Sequence, residues 1–261
     1  MSDRKTMNER ITPEMFIKHF TSMQKITKAD LGVSPVVVVA WHRNVVESLA
    51  KAVGAILSKH WIYRKEYPLY TGRVKQDTIS FVHLPIGAPG TIMIMEEMIA
   101  CGARVFLGLG LAGSLQPTAP IGTCLIPTSC IREEATSVHY ISNESAIVPS
   151  TRLVKILQES CCNKKVKVLS GPLWTTDAPY RELVNKIETY GKQGVLGVDM
   201  ETSAMYALGQ FRNVEVANLL VVSDELWHEW QMASGSSKLQ KAIQKAKGAI
   251  LHLLENEVLA K

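Results

Sequence analysis

Apolar residues along this chain gather in short continuous runs, and between the runs they recur every three to four positions. The runs at 35–40 ("PVVVVA"), 78–85 ("TISFVHLP"), 103–110 ("ARVFLGLG"), 122–131 ("GTCLIPTSCI"), 165–174 ("KVKVLSGPLW") and 216–224 ("VANLLVVSD") predict strands. The stretches at 45–57, 91–102, 150–160, 180–191 and about 237–257 carry the helical period and predict helices. Strands apolar on both faces, interleaved with helices, imply a sheet covered on both sides. No repeat, low-complexity tract or linker interrupts the alternation, so residues 35–261 read as one α/β domain and residues 1–34 as a segment packing on it or on a neighbouring subunit. In such folds ligands gather at the carboxyl ends of the strands.

One strand-to-helix junction departs from the pattern. In "GVLGVDMETSAMYALG" (194–209) an apolar run stops at Asp199-Met200-Glu201, and helical spacing resumes at Ala204, Met205, Ala207 and Leu208. Helix capping accounts for Asp199 as an N-cap and for an acid in the first turn. It leaves Met200 without a reason.

Composition narrows the function class. With 46% hydrophobic and 20% charged residues over 261 positions, the chain has the make-up of a globular protein. The charged opening "MSDRKTMNER" lacks the apolar core of a signal peptide, and no apolar run reaches bilayer length, so the expected location is the cytoplasm, with no membrane partner. Five cysteines at 101, 124, 130, 161 and 162 lack metal-ligand spacing and read as reduced thiols, with a bridge between subunits left open. The net charge of +5 is modest, and the lysines of "KLQKAIQKAKG" read as the wet face of a terminal helix, not a nucleic-acid stripe. "GLGLAG" (108–113) matches a dinucleotide fingerprint, but Pro117 and Pro120 break the helix that the motif needs next. Its glycines fit close approach of a ligand to backbone.

Five segments in order, "PIGAPGTIMIMEEMIACGA", "GLAGSLQPTAPIGTCLIPTSCIREEATSVHY", "WTTDAPYRE", "GVDMETSAMYAL" and "LLVVSDEL", resemble the nucleoside phosphorylase family of purine and uridine phosphorylases and related nucleosidases. The resemblance implies a single three-layer α/β/α domain around a mixed, partly barrel-like sheet. It implies a homo-oligomer, either a dimer or a hexamer built of dimers. It implies that Glu201 accepts the ribose hydroxyls and that Met200 packs under the sugar. It places Asp224 as the acid that assists the leaving purine, with Lys238 as a candidate cationic partner. It sets Trp174, Thr175, Thr176, Pro179 and Tyr180 beside the base, and it makes His139 a structural or subunit-contact residue. Phosphate is the implied co-substrate, with no other cofactor and no metal.

The phosphate positions break the family pattern. Trp41-His42-Arg43-Asn44 replaces the Gly-Asp-Pro loop, Val45 stands for its arginine, and Gly108 and Leu111 stand for a second arginine and a hydroxyl. Arg43, Gly110, Gly113, and Arg64 or Lys65 lent by a neighbour remain as candidate phosphate contacts. The expected reaction is cleavage of a purine or uridine-type ribonucleoside by phosphorolysis. A water-using nucleosidase and a non-catalytic nucleoside-binding relative stay open as alternatives.

Overall fold

The computed structural model describes residues 9–259. In chain order they form α1 (Pro13–Gln24), β1 (Val36–Ala40), α2 (Arg43–Ala52), β2 (Ile56–Leu57), β3 (Leu69–Val74), β4 (Asp77–His83), α3 (Ala88–Ala100), β5 (Val105–Ser114) and β6 (Cys124–Glu133). Then follow α4 (Thr151–Asn163), β7 (Val168–Thr176), α5 (Val184–Lys192), β8 (Gly197–Asp199), α6 (Thr202–Arg212), β9 (Glu215–Glu225), β10 (Gln231–Met232) and α7 (Ser237–Asn256). All ten strands belong to one mixed sheet in the order β10-β9-β6-β7-β8-β5-β1-β4-β3-β2.

An additional parallel pairing of β9 with β5 bends that sheet on itself. Strands β5, β9, β6, β7 and β8 thus close a ring, which makes half of the sheet barrel-like, while β1 to β4 continue as an open wing. The alternation of side chains along β1 shows the layering. Val36, Val38 and Ala40 face a core shared with α2, α4 and α7, and Val37 and Val39 face one shared with α3 and α6. Helices therefore cover both faces, giving a three-layer α/β/α arrangement. Of the segment 1–34, residues 1–8 lie outside the described residues, and Ile17 and Phe20 of α1 pack with Leu31 against Ala100 and Cys101 at the end of α3.

Three segments differ from the sequence reading. The helix expected over 45–57 ends at Ala52, because Gly54 takes φ +66° and turns Ile56-Leu57 into β2. The helix expected over 180–191 starts only at Val184, after a short 3₁₀ turn at Pro179–Arg181. Strand β5 runs four residues beyond 110, so "GLGLAG" stays extended throughout and opens no helix.

Ring closure depends on close backbone approach. A Cβ on Gly197 would lie 2.5 Å from the Gly113 carbonyl oxygen, a backbone atom that cannot step aside. We expect Gly197→Ala to destabilise the fold by roughly 1–3 kcal/mol, as overpacking does. Thermal unfolding of the variant beside the wild type measures the loss, and an unchanged melting temperature would show that the β5–β8 contact is slack.

Candidate active site

The register of the ring brings three strand ends together. Gly113 pairs with Asp224 of β9 and with Val198 of β8, and Asp199 pairs with Thr175 of β7. Beyond these ends lies a cavity of about 690 Å³, within the range that encloses small organic ligands. Its floor is apolar, formed by Leu111, Ala112, Gly113 and Val198, and Trp41, Tyr180 and Trp230 stand around it.

At the end of β8 the two carboxylates have different work. Asp199 turns inward: its Oδ1 accepts from the Thr175 hydroxyl at 2.8 Å, and its Oδ2 accepts from the Thr202 backbone N–H at 3.0 Å and from the Thr202 hydroxyl. The N-cap position of α6 is Glu201 and not Asp199, but Asp199 satisfies the first free N–H of the helix from two residues further back. Glu201 accepts the Gly87 backbone N–H at 2.6 Å and lines the cavity. Both carboxyls are held above the usual range by burial. For Asp199 the hydrogen bonds from Thr202 and Thr175 offset part of that rise; for Glu201 the charge of Asp199 adds to it. Met200, between them, also lines the cavity.

Across the floor, Asp224 accepts the Ser223 hydroxyl on Oδ1 at 2.7 Å and the Trp230 indole N–H on Oδ2 at 3.0 Å. These, and not Lys238, are its partners; Lys238 lines a separate depression with Lys241 and Lys245. Trp230 reaches Asp224 because β10 folds back antiparallel on β9, with Met232 opposite Asp224.

Of the residues assigned to the base, Pro179 and Tyr180 line the cavity, and Tyr180 is fully exposed. Trp174 does not line it. Its ring is fully buried among Leu115, Ile187, Val195 and Val198, and its indole N–H donates to Glu133 at 3.1 Å. Thr175 is spent on Asp199, and the Thr176 hydroxyl accepts the Ala178 N–H at 3.2 Å. His139 lies in a separate groove with Tyr140, Phe211 and Arg212.

The residues assigned to phosphate do not gather in this cavity. Arg43 pairs with Glu47 at 3.0 Å and donates to the Lys65 carbonyl oxygen at 3.3 Å, outside the walls. Arg64 and Lys65 lie on an exposed turn before β3, also outside them. Gly110 is covered by the Trp41 ring, which a Cβ there would meet at 2.9 Å, while the Trp41 indole N–H donates to Thr91 at 2.9 Å. Only Gly113 reaches the floor. Among the described residues the walls carry five carboxyls (Glu182, Asp199, Glu201, Asp224, Glu229) and two histidines, and neither lysine nor arginine. One of the histidines, His42, is held below its usual pKa by burial and then by His83, which favours its neutral form. Among the described residues no cluster of His, Cys, Asp and Glu is arranged to hold a metal ion. Trp41, His42, Glu182 and Trp230 are wall residues that sequence reasoning did not assign to the site. The cluster "WHEW" soon after Asp224 was the one signal for Trp230, whereas Glu182 gave none beyond its place in "WTTDAPYRE".

The raised Glu201 carboxyl links stability to pH. The folded protein holds this proton more tightly than the unfolded chain, so the wild type loses stability as pH rises from the ordinary glutamate value through the raised folded one. Glu201→Gln keeps the acceptor for Gly87 and carries no charge. We expect its melting temperature to match the wild type near pH 4.5 and to exceed it by several degrees at pH 8. A gap independent of pH would mean that the Glu201 charge is compensated.

Residues 36–255 match the family model described as the phosphorylase superfamily. A uridine phosphorylase of Treponema pallidum (strain Nichols) is 29% identical over 189 residues, covering 68% of this chain and 72% of that protein. A guanosine phosphorylase of Halorubrum lacusprofundi is 24% identical over 162 residues, 62% of this chain and 67% of that one. The crystal structure of uridine phosphorylase from Vibrio fischeri ES114 superposes with a TM-score of 0.76 at 28% identity, covering 87% of this chain and 93% of the other. Purine nucleoside phosphorylase from Toxoplasma gondii, solved in complex with immucillin-H, shares the fold with a TM-score of 0.79 at 23% identity over 88% and 93% of the two chains. With the family model spanning nearly the whole domain and the fold shared over most of the chain, this protein belongs to the phosphorylase superfamily.

Proposed function

We propose that the cavity cleaves the N-glycosidic bond of a ribonucleoside, with water as the acceptor. Family membership supports glycosidic-bond chemistry in general. The reading of the site rests on Glu201, a buried carboxyl just past a strand end with no side-chain donor and the cavity in front of it. A carboxylate takes two hydroxyl donors at once, and such charge-assisted bonds are short and strong. The ribose 2'- and 3'-hydroxyls are such donors, with Met200 as an apolar surface beside them. Asp224 then faces the base, with Tyr180 and Pro179 at the mouth as its stacking surface.

The choice of acceptor follows from charge. As the glycosidic bond breaks, the sugar develops oxocarbenium character. Carboxylates around it favour that positive charge, and they act strongly where water is excluded. An ionised wall carboxyl repels a phosphate dianion, whereas Glu182 and Glu201, which burial holds toward their protonated forms, do so only once they have lost their protons. One carboxylate about 6 Å from the dianion costs on the order of 5 kcal/mol at an effective dielectric of about 20. No arginine or lysine of this chain's own cavity offsets that among the described residues, and Trp41 covers the Gly110 backbone.

Phosphorolysis is the second reading, because the relatives bear the names of phosphorylases. It requires cations from a neighbouring copy, and Arg64 and Lys65 are the exposed candidates. The two readings separate on product. We expect inosine or uridine to yield free ribose at a rate indifferent to phosphate. Ribose 1-phosphate rising with phosphate, and falling in an Arg64→Ala, Lys65→Ala double variant, would overturn the water reading. For Glu201→Ala we expect kcat/KM to fall by roughly 10- to 100-fold or more, since a charged hydrogen bond contributes about 1.5–3 kcal/mol. Turnover at the wild-type rate would remove the ribose assignment.

A further inference from the structure

Glycosidic cleavage needs a proton donor for the departing base, and the cavity offers more than one carboxyl. Asp224 is an acceptor at both oxygens, from Ser223 and from Trp230. Both bonds favour its ionised form, and protonation would weaken them. Glu201 is turned to the Gly87 amide and the sugar side. Glu182 stands apart. It follows the Pro179–Arg181 turn, lines the same cavity as Asp224, and has no hydrogen-bond or ion-pair partner among the described residues.

We propose that Glu182 is the catalytic acid that hands its proton to the leaving base, while Asp224 in the same cavity remains an acceptor. This assignment rests on the reading of the cavity as a site of glycosidic cleavage. When the C1'–N bond breaks, its electron pair passes to the base. The Glu182 O–H bond breaks, the proton goes to the base, and the carboxyl becomes a carboxylate. The acceptor's oxygen bonds to C1' and releases its own proton to solvent. Glu182, only half-buried, recovers a proton from solvent and the cycle closes.

The surroundings suit a donor at neutral pH. Burial pushes the Glu182 carboxyl up to about 7, and the charge of Asp224 adds to the push. The other titratable groups of the cavity are Tyr180 in the turn before Glu182, His228 and Glu229 after β9, Asp199 and Glu201 at the end of β8, and His42 before α2. His228 is engaged with Glu225 at 3.1 Å, and His42 is held toward its neutral form. No cation among the described wall residues pulls the Glu182 proton off. Two carboxyls in one cavity, one kept as acceptor and one kept protonated, is the arrangement that divides base and acid roles.

The test compares leaving groups. Inosine and uridine need a protonated base, whereas the 4-nitrophenolate of 4-nitrophenyl β-ribofuranoside departs as an anion. We expect kcat/KM of Glu182→Gln to fall about 100-fold or more on the nucleosides, the usual range for loss of a general acid, and by no more than about threefold on the nitrophenyl riboside. The wild type should lose nucleoside activity as pH rises through about 7, where Glu182 gives up its proton. Glu182→Gln should lack that limb, and Glu182→Asp should retain it. Equal losses on both leaving groups, or an alkaline limb unchanged in Glu182→Gln, would overturn the assignment while leaving cleavage itself intact. A wild type inert towards all three substrates would instead overturn the cleavage reading, and Glu182's role with it.

Discussion

Strand β5 pairs with β1, β8 and β9, and the site depends on that crowding. A strand in a flat sheet has two neighbours; a third is accommodated here because β1 pairs only with Val105 to Leu109 and β8 only with Gly113 and Ser114, while β9 runs along the whole strand. The approach is tight enough that Gly113 and Gly197 meet without side chains between them. Closing the ring in this way sets the ends of β7, β8 and β9 side by side, so residues distant in the chain come to share one cavity.

The same closure explains the electrostatics. Strand ends inside a ring are shielded from water, and the acids placed there pay in desolvation for their position. Asp199 recovers much of that cost through two threonines and the start of α6. Glu201 has no side-chain donor, only backbone ones, and a like-charged neighbour. A group left under-satisfied in the folded protein gains most when a ligand supplies donors, which is why Glu201, and not Asp199, is the one poised for a sugar. The apolar Trp41 over Gly110 and the carboxyl-rich walls bias the cavity towards a substrate that becomes positive as it reacts. Glycosidic cleavage fits that bias, and a bound dianion opposes it.

How much of this was legible in the sequence differs from residue to residue. Buried strands such as β1 and β9 announce themselves as apolar runs, and Asp199-Met200-Glu201 stands out because it interrupts one. Strand β3 ("LYTGRV") does not, because it pairs with β4 along one edge and its middle residues are half-exposed. Helix α1 has the right period but buries only Ile17 and Thr21. Trp174 reads like a pocket residue because an aromatic beside a loop motif serves equally well as core, and only the packing of α5 decides between them. Glu182 was hidden for a different reason. Its character comes first from burial in the folded cavity and then from Asp224, which the fold brings to it from another element, and no local spacing encodes either.

The central claim is that Glu201 meets the ribose as a carboxylate, although the fold holds it above its usual proton affinity. Hydroxyl donors favour the ionised form, so sugar binding near pH 7 must expel a proton. A C-nucleoside, whose carbon–carbon glycosidic bond stays intact, can be titrated calorimetrically in two buffers of different ionisation enthalpy, with the wild type and with Glu201→Gln. The account expects proton release by the wild type in excess of the variant, together with weaker binding by the variant. Equal proton counts at equal affinity in the two proteins would contradict it.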